Sequence, residues 1–163
     1  MFNRIRKAAA VAALLGLATQ AFAQQNAACI ELKTTAQVEK EVVDARGAKS
    51  RVLVEAGKVV PGTEVVWTVT ANNVCKVPSD KVTINNAVPE HMTLVPGSAI
   101  GAGSDITFSH DGKTFATADK LTVTENGATR PAHADEYRHI RWEFKNSLQP
   151  GASAFARFRA VLN

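Results

Sequence analysis

The chain has 163 residues, with 19 Lys and Arg, 15 Asp and Glu and four His, for a formal net charge of +4. Arg4, Arg6 and Lys7 fall in the first 23 residues and no acid does, so the remaining 140 residues set 16 cations against 15 anions, a balance of +1. That near-neutral remainder gives no footing for a nucleic-acid or anionic-membrane partner, and its length suits one domain.

In chain order, the first segment is an address. Arg4, Arg6 and Lys7 form a positive n-region, Ala8 to Leu17 an apolar run, and Ala21-Phe22-Ala23 places small residues at minus three and minus one. This pattern is that of a secretory signal peptide over residues 1–23, cleaved between Ala23 and Gln24. The apolar run is about half the ~20 residues a membrane span needs, and no second such run follows. The expectation is an exported bacterial protein, periplasmic or extracellular, without a membrane span. Gln24, Gln25 and Asn26 separate the apolar run from Cys29, which speaks against a lipid anchor there. In an oxidising compartment Cys29 and Cys75 are expected to pair. Their bond closes a loop of about 46 residues, worth roughly 4 kcal/mol in the chain-entropy account. Neither cysteine has a Cys-x-x-Cys partner or a histidine at metal spacing, so redox catalysis and zinc binding are poorly supported.

Beyond Ile30 the pattern is one of short strands. Ile30 to Val43 is polar and alternates loosely, as an edge strand or a strand and tail. Arg51 to Ala56 is a second strand, and Val59 to Thr63 a turn around Pro61-Gly62. In Glu64 to Asn72 the face bearing Val65, Trp67 and Val69 is expected to be core. Lys81 to Ile84 begins the next strand, Asn85 to Glu90 breaks it, and Met92 to Val95 leads into a turn at Pro96-Gly97-Ser98. Ile106 to Phe108 and Thr114-Phe115 flank Asp111-Gly112, the strongest hairpin signal. Leu121 to Val123 is a short strand, and Asn126 to Glu136 is expected to be an exposed loop. Ile140, Trp142 and Phe144 alternate with His139, Arg141 and Glu143. After the turn at Gln149-Pro150-Gly151 come Phe155, Phe158, Ala160 and Leu162, and the two stretches are read as antiparallel neighbours. The fold expected is all-β, an antiparallel immunoglobulin-like sandwich of about seven to nine strands, with Trp67, Ile140, Trp142, Phe144 and Phe158 in its core.

The order of motifs resembles an immunoglobulin-like family, domain of unknown function eleven, the conserved repeat domain of prokaryotic surface proteins. The likeness rests on Val60-Pro61-Gly62, the Val65 to Thr70 strand, Asn72-Asn73, Val82-Thr83-Ile84, Val88 to Met92 and Pro96 to Ala99. It ends with Tyr137 to Trp142, Leu148 to Ala152 and the Phe155 to Val161 strand. It divides the chain into a signal peptide (1–23), an N-terminal strand region packed on or extending the sandwich (24–57), and the repeat domain (58–163). The resemblance implies no general activity. The chain departs from the family in carrying one copy, an added strand region and Cys75 where small polar residues are usual. A small periplasmic or secreted protein is the closer likeness.

No residues suggest a catalytic centre: Gly-x-Ser-x-Gly, His-Glu-x-x-His and paired carboxylates in a cleft order are all missing. Ser109 to Phe115 resembles the Asp-box of sialidase-type propellers, which is a turn brace rather than a site. His91, His110, His133 and His139 share no ligand spacing, and Asp105, Asp111, Asp119 and Asp135 lack the dense pattern of a calcium loop. His139 is expected to face solvent. Trp67 and Trp142 could stack on a sugar, but alternation places both inward. The reading is a non-enzymatic exported sandwich, without cofactor, that binds an unknown protein or cell-surface partner or itself through an edge strand, with Ile30 to Val43 the candidate. The disulfide favours pairing of that strand within its own sheet. The alternatives are a filament subunit, a carbohydrate-binding or hydrolase accessory module using the loops from Gly97 to Ser109 and Asn126 to Tyr137, and a metal-binding protein.

Overall fold

A computed structural model describes residues 29–163. The signal peptide and its cleavage point between Ala23 and Gln24 lie outside the described residues. Ten strands run along the described chain: β1 (Ile30–Val43), β2 (Lys49–Glu55), β3 (Glu64–Asn73), β4 (Thr83–Ala87), β5 (Met92–Leu94), β6 (Ser104–Ser109), β7 (Thr122–Glu125), β8 (Ala128–Pro131), β9 (His139–Phe144) and β10 (Ser153–Leu162). A 3-10 turn at Ala134–Glu136 precedes β9. All pairings are antiparallel, in a five-stranded sheet ordered β2-β1-β3-β10-β5, a three-stranded sheet ordered β4-β9-β6, and a separate β7-β8 hairpin. The fold is an antiparallel β-sandwich of the immunoglobulin-like kind.

The middle strand β3 shows how the sequence makes this layer. Val65, Val69 and Ala71 point into the sandwich, opposite Ala160, Ala156 and Ala154 of β10, and all six residues are buried or partly buried. Small residues on β10 let the facing sheet approach, and Phe158 fills the space left between them. On the outer face Val66 and Thr68 are also buried, because the register flanks them with Gln37, Arg159 and Arg157. The Arg157 Nε donates to Thr68 Oγ1 at 3.0 Å, and Arg159 reaches Glu64 at 2.6 Å and Glu39 at 2.8 Å. The stems of these arginines cover apolar surface while their heads stay in solvent.

Trp142, Phe158, Ile140 and Ile84 are fully buried between the sheets. The Phe158 ring lies 6.4 Å from Trp67 and 6.2 Å from Trp142, joining the two layers. Two residues expected in the core, Trp67 and Phe144, are only partly buried. Trp67 sits beside β1, whose inner face the narrower sheet leaves largely open, and Phe144 is the last residue of β9, at the mouth of a groove. Gly101 closes over Trp142: a Cβ there would lie 2.7 Å from the indole Cδ1, while the indole N–H donates to the Ile100 carbonyl at 3.1 Å.

Several local expectations are corrected. The closing strands β9 and β10 are not neighbours: β9 pairs with β4 and β6, β10 with β3 and β5, and they meet face to face through Trp142 and Phe158. Alternation fixes which side of a strand is apolar but is satisfied equally by packing across the sandwich. Asn126 to Glu136 is not a plain loop, since Asn126 (φ 52) and Gly127 (φ 81) form the tight turn of the β7-β8 hairpin. Two consecutive positive φ values suit this Asn-Gly pair and match the twist of the flanking strands. Thr114-Phe115, by contrast, is not a strand, and the main-chain pairing across the Asp111-Gly112 turn is an isolated bridge between Phe108 and Ala116. The strand begun near Lys81 continues through Asn85 and Asn86, because pairing with β9 satisfies their backbone and Asn85 Oδ1 accepts from Arg141 Nε at 2.7 Å. His139 is half-buried rather than turned to solvent, its ring against Gly112.

The N-terminal end is held by the Cys29–Cys75 disulfide, with Cα atoms 5.1 Å apart. Asn73 beside it is fully buried, and its amide donates to the carbonyls of Val77 (2.8 Å) and Leu148 (2.7 Å) while its Oδ1 accepts the Cys75 N–H at 3.0 Å. Replacing both cysteines by serine is expected to lower the unfolding free energy by roughly 4 kcal/mol in guanidinium titration, the value for a loop of this span. Gly101→Ala is expected to cost about 1–3 kcal/mol in the same assay, because Trp142 has no room to yield.

Candidate functional site

The residues that could have carried chemistry are dispersed. Among the described residues no group of three or more His, Cys, Asp or Glu is placed to hold a metal ion. His110 Nδ1 lies 3.1 Å from the Glu136 carbonyl, His133 begins the 3-10 turn, His139 is in β9, and His91 occupies a turn at φ 60 ahead of β5. Trp142 is sealed in the core, and Trp67 stacks inward on Phe158 with its indole N–H buried and without a partner among the described residues. The loops from Gly97 to Ser109 and from Asn126 to Tyr137 meet at the Ser109 end of β6, where the Phe108 and Tyr137 rings stack 4.8 Å apart, while the first part of the former loop lies at the other end. The residues before Ser104 line a groove at one end of β6, and Arg138 bonds Ser109 at the other, about 17 Å away at strand rise.

The Asp-box-like turn is a brace. The buried Ser109 hydroxyl donates to Asp111 Oδ1 at 2.9 Å and accepts the Gly112 N–H at 2.9 Å, and the same carboxylate oxygen accepts the N–H groups of Thr114 (2.9 Å) and Lys113 (2.8 Å). Those bonds, Thr114 first, hold the Asp111 carboxyl down to about 2. A second brace joins Arg130 to Glu136 through two bonds of 2.7 and 2.8 Å and to Glu125 at 3.2 Å, tying the β7-β8 hairpin to the 3-10 turn. Arg130, with the His133 N–H at 2.7 Å, holds Glu136 down to about 2.

What the fold leaves open is main chain. β1 pairs with β3 only over Ile30 to Gln37, and with β2, on its other side, only over Gln37 to Val43. Among the described residues, each half of β1 therefore has one unpaired edge. On the half from Ile30 to Thr34 the free side is the one that β2 occupies further along, where the last bond is Ala56 N–H to the Ala36 carbonyl at 2.9 Å. Leu32 on this half is 53 % exposed, and Glu31, Lys33 and Thr34 are exposed as well. The other half continues with β2 into a ribbon in which Val42, Val43 and Val52 are exposed.

A second open edge borders a groove of about 830 Å³ between the sheets, lined by Val82, Ile106, Phe144, Leu148 and Ala154 among others. Arg157 exchanges both main-chain bonds with Ile100 at 2.8 Å on this side of β10. Two residues back, Phe155 turns its N–H and C=O the same way, toward the groove. The edge residues had a sequence signal in the polar alternation of Ile30 to Val43; the groove had none, since its walls come from four separate segments.

Comparison with protein-family models, with curated proteins and with solved structures found no match to the chain. The class rests on the fold, an immunoglobulin-like antiparallel sandwich.

The Asp111 brace has a pH signature. A carboxyl held at about 2 in the folded chain against about 3.9 unfolded contributes stability that is present above pH ~4 and lost as pH falls through ~2. Asp111→Ala is expected to melt below the unsubstituted protein at pH 7, with the gap narrowing between pH 4 and pH 2 in thermal scans followed by circular dichroism.

Proposed function

We propose that the protein is an exported, non-enzymatic binding or assembly module that works by main-chain hydrogen bonding at the open edges of its larger sheet. The observation that carries this reading is the divided pairing of β1, which leaves an exposed, extended backbone, unpaired among the described residues, on a strand anchored at its other side. Such an edge is a template for another strand: main-chain bonds supply the affinity, and alternate side chains the choice of partner. The Phe155 edge beside the groove offers the same chemistry with an apolar wall. Export is supported by the leader-like residues 1–23 and fits the Cys29–Cys75 bond, which needs an oxidising compartment. Among the described residues no helix is long and apolar enough to cross a membrane. The ordered motifs that resemble the conserved repeat domain of prokaryotic surface proteins agree with a binding or structural role.

The test places a photo-crosslinking amino acid at Leu32, at Phe155, and at Lys113 on the braced turn, in cells that make the protein. Covalent adducts at Leu32 or Phe155, with none at Lys113, are expected. Absence of adducts at both edge positions overturns the reading.

A further inference from the structure

The free edges differ in what they present. β2, at the border of the sheet, has both of its cations engaged: Lys49 meets Glu41 at 2.8 Å and Arg51 meets Glu39 at 3.5 Å. β5 is three residues long, and β6 is capped at one end by the bridge from Phe108 to Ala116. The Ile30 to Thr34 half of β1 is different. Its two charged residues, Glu31 and Lys33, form no ion pair within the described chain, and β3 sets the neutral Asn72 and Thr70 opposite them.

The segment Ile30-Glu31-Leu32-Lys33-Thr34 is self-complementary about Leu32. The geometry points to a second copy of this chain as the occupant of the edge, added antiparallel about a two-fold axis through Leu32. This inference rests on the edge-pairing reading above. In that register Glu31 of each copy lies opposite Lys33 of the other, and Leu32 lies opposite Leu32. A two-fold interface requires such reciprocity.

The backbone parity agrees independently. Ala36, which shares its direction with Leu32 and Thr34, gives its carbonyl to β2's side of β1, so Ile30, Leu32 and Thr34 turn their N–H and C=O groups to the open edge. These three become the hydrogen-bonded pairs of the new ladder. Glu31 and Lys33 then fall at non-hydrogen-bonded positions, where opposed side chains come closest, with Cα atoms about 4.5 Å apart. A register shifted by two residues loses both charge pairs. The added strand lies end to end with β2, so the pairing stops where Ala36 is already bonded, and the five-stranded sheets of the two copies join edge to edge. The interface is short, so association is weak and concentration-dependent.

Sedimentation velocity over a concentration series, on the oxidised chain lacking residues 1–23, tests this. The unsubstituted protein is expected to show a reversible monomer–dimer equilibrium. E31K and K33E each place like charges opposite one another twice per dimer, and each is expected to weaken self-association about tenfold or more. An equimolar mixture of the E31K protein with the K33E protein is expected to dimerise, as is the double variant E31K/K33E, since both restore the two opposite-charge pairs. These surface substitutions leave the core untouched, and unchanged melting temperatures check that. A monomeric unsubstituted protein, single variants that dimerise normally, or a mixture that stays monomeric overturns the inference. Adducts at Leu32 to another protein, with a monomeric purified chain, overturn self-pairing and leave the edge reading standing; no adducts at either edge overturn the edge reading itself.

Discussion

The anchoring of β1 at its first residue governs the rest of the larger sheet. Because side chains alternate with a period of two, a slip of one residue along β3 would carry Ile30, Ala36 and Val38 out of the core and turn Glu31, Gln37 and Glu39 inward. The apolar contrast between the two faces of β1 is too low to set that register unaided, since Leu32 and Thr34 are exposed on the inner side. The disulfide to Cys75 and the Val74 N–H bond to the Cys29 carbonyl at 2.9 Å fix it from outside the strand. Asn73 in turn fixes the Cys75 loop, by spending its buried amide on Val77, Leu148 and Cys75. A fully satisfied buried amide of this kind is costly to misplace, so it specifies one arrangement.

From that register follows the unequal sandwich. Five strands face three, and the core cluster is drawn from β3, β10, β4, β5 and β9 with little from β1 or β2. The outer strands therefore hang beyond the covering sheet. β1 is fourteen residues long and serves two partners in succession. Its first half is stabilised through β3, its second through β2 and by Arg159, which reaches across β3 from β10 to hold Glu39 and keeps that carboxyl below its usual range. An exposed pair of this kind contributes little alone; its role here is to place the ribbon.

The strands were legible in the sequence far better than their partners. Parity in β3, β9 and β10 could be read because each has one strongly apolar face, and Trp142 and Phe158 are as buried as that pattern implies. Which strand lies beside which could not, because an alternating strand meets its burial requirement equally well beside a neighbour or facing it, and β9 and β10 take the second course. The hairpins show the same limit at short range. Asp111-Gly112 has the sequence of a tight turn, but the Asp111 carboxylate recruits the Lys113 and Thr114 N–H groups and widens it, while Asn126-Gly127, flanked by weakly apolar residues, makes the two-residue turn. The candidate edge was partly visible as a polar, alternating, N-terminal strand. That its two halves would be open on opposite sides depends on where β2 and β3 end, which no local pattern encodes.

The contrast between the halves of β1 shows how one strand can be closed to new partners at one end and open at the other. Past Gln37 every acidic side chain has a cation assigned to it, Glu39 with Arg159 and Arg51, Glu41 with Lys49. A strand arriving there would have to displace those cations or set its own charges against them, and like charges directly opposed are unfavourable. Before Gln37 the cross-strand neighbours on β3 are Thr70 and Asn72, which take up no charge, so Glu31 and Lys33 keep their full capacity for a partner outside the chain. Edges are commonly protected by charged side chains, which disfavour the approach of another strand. Here the two signs sit two residues apart on one face, and the proposed two-fold pairing rests on that spacing.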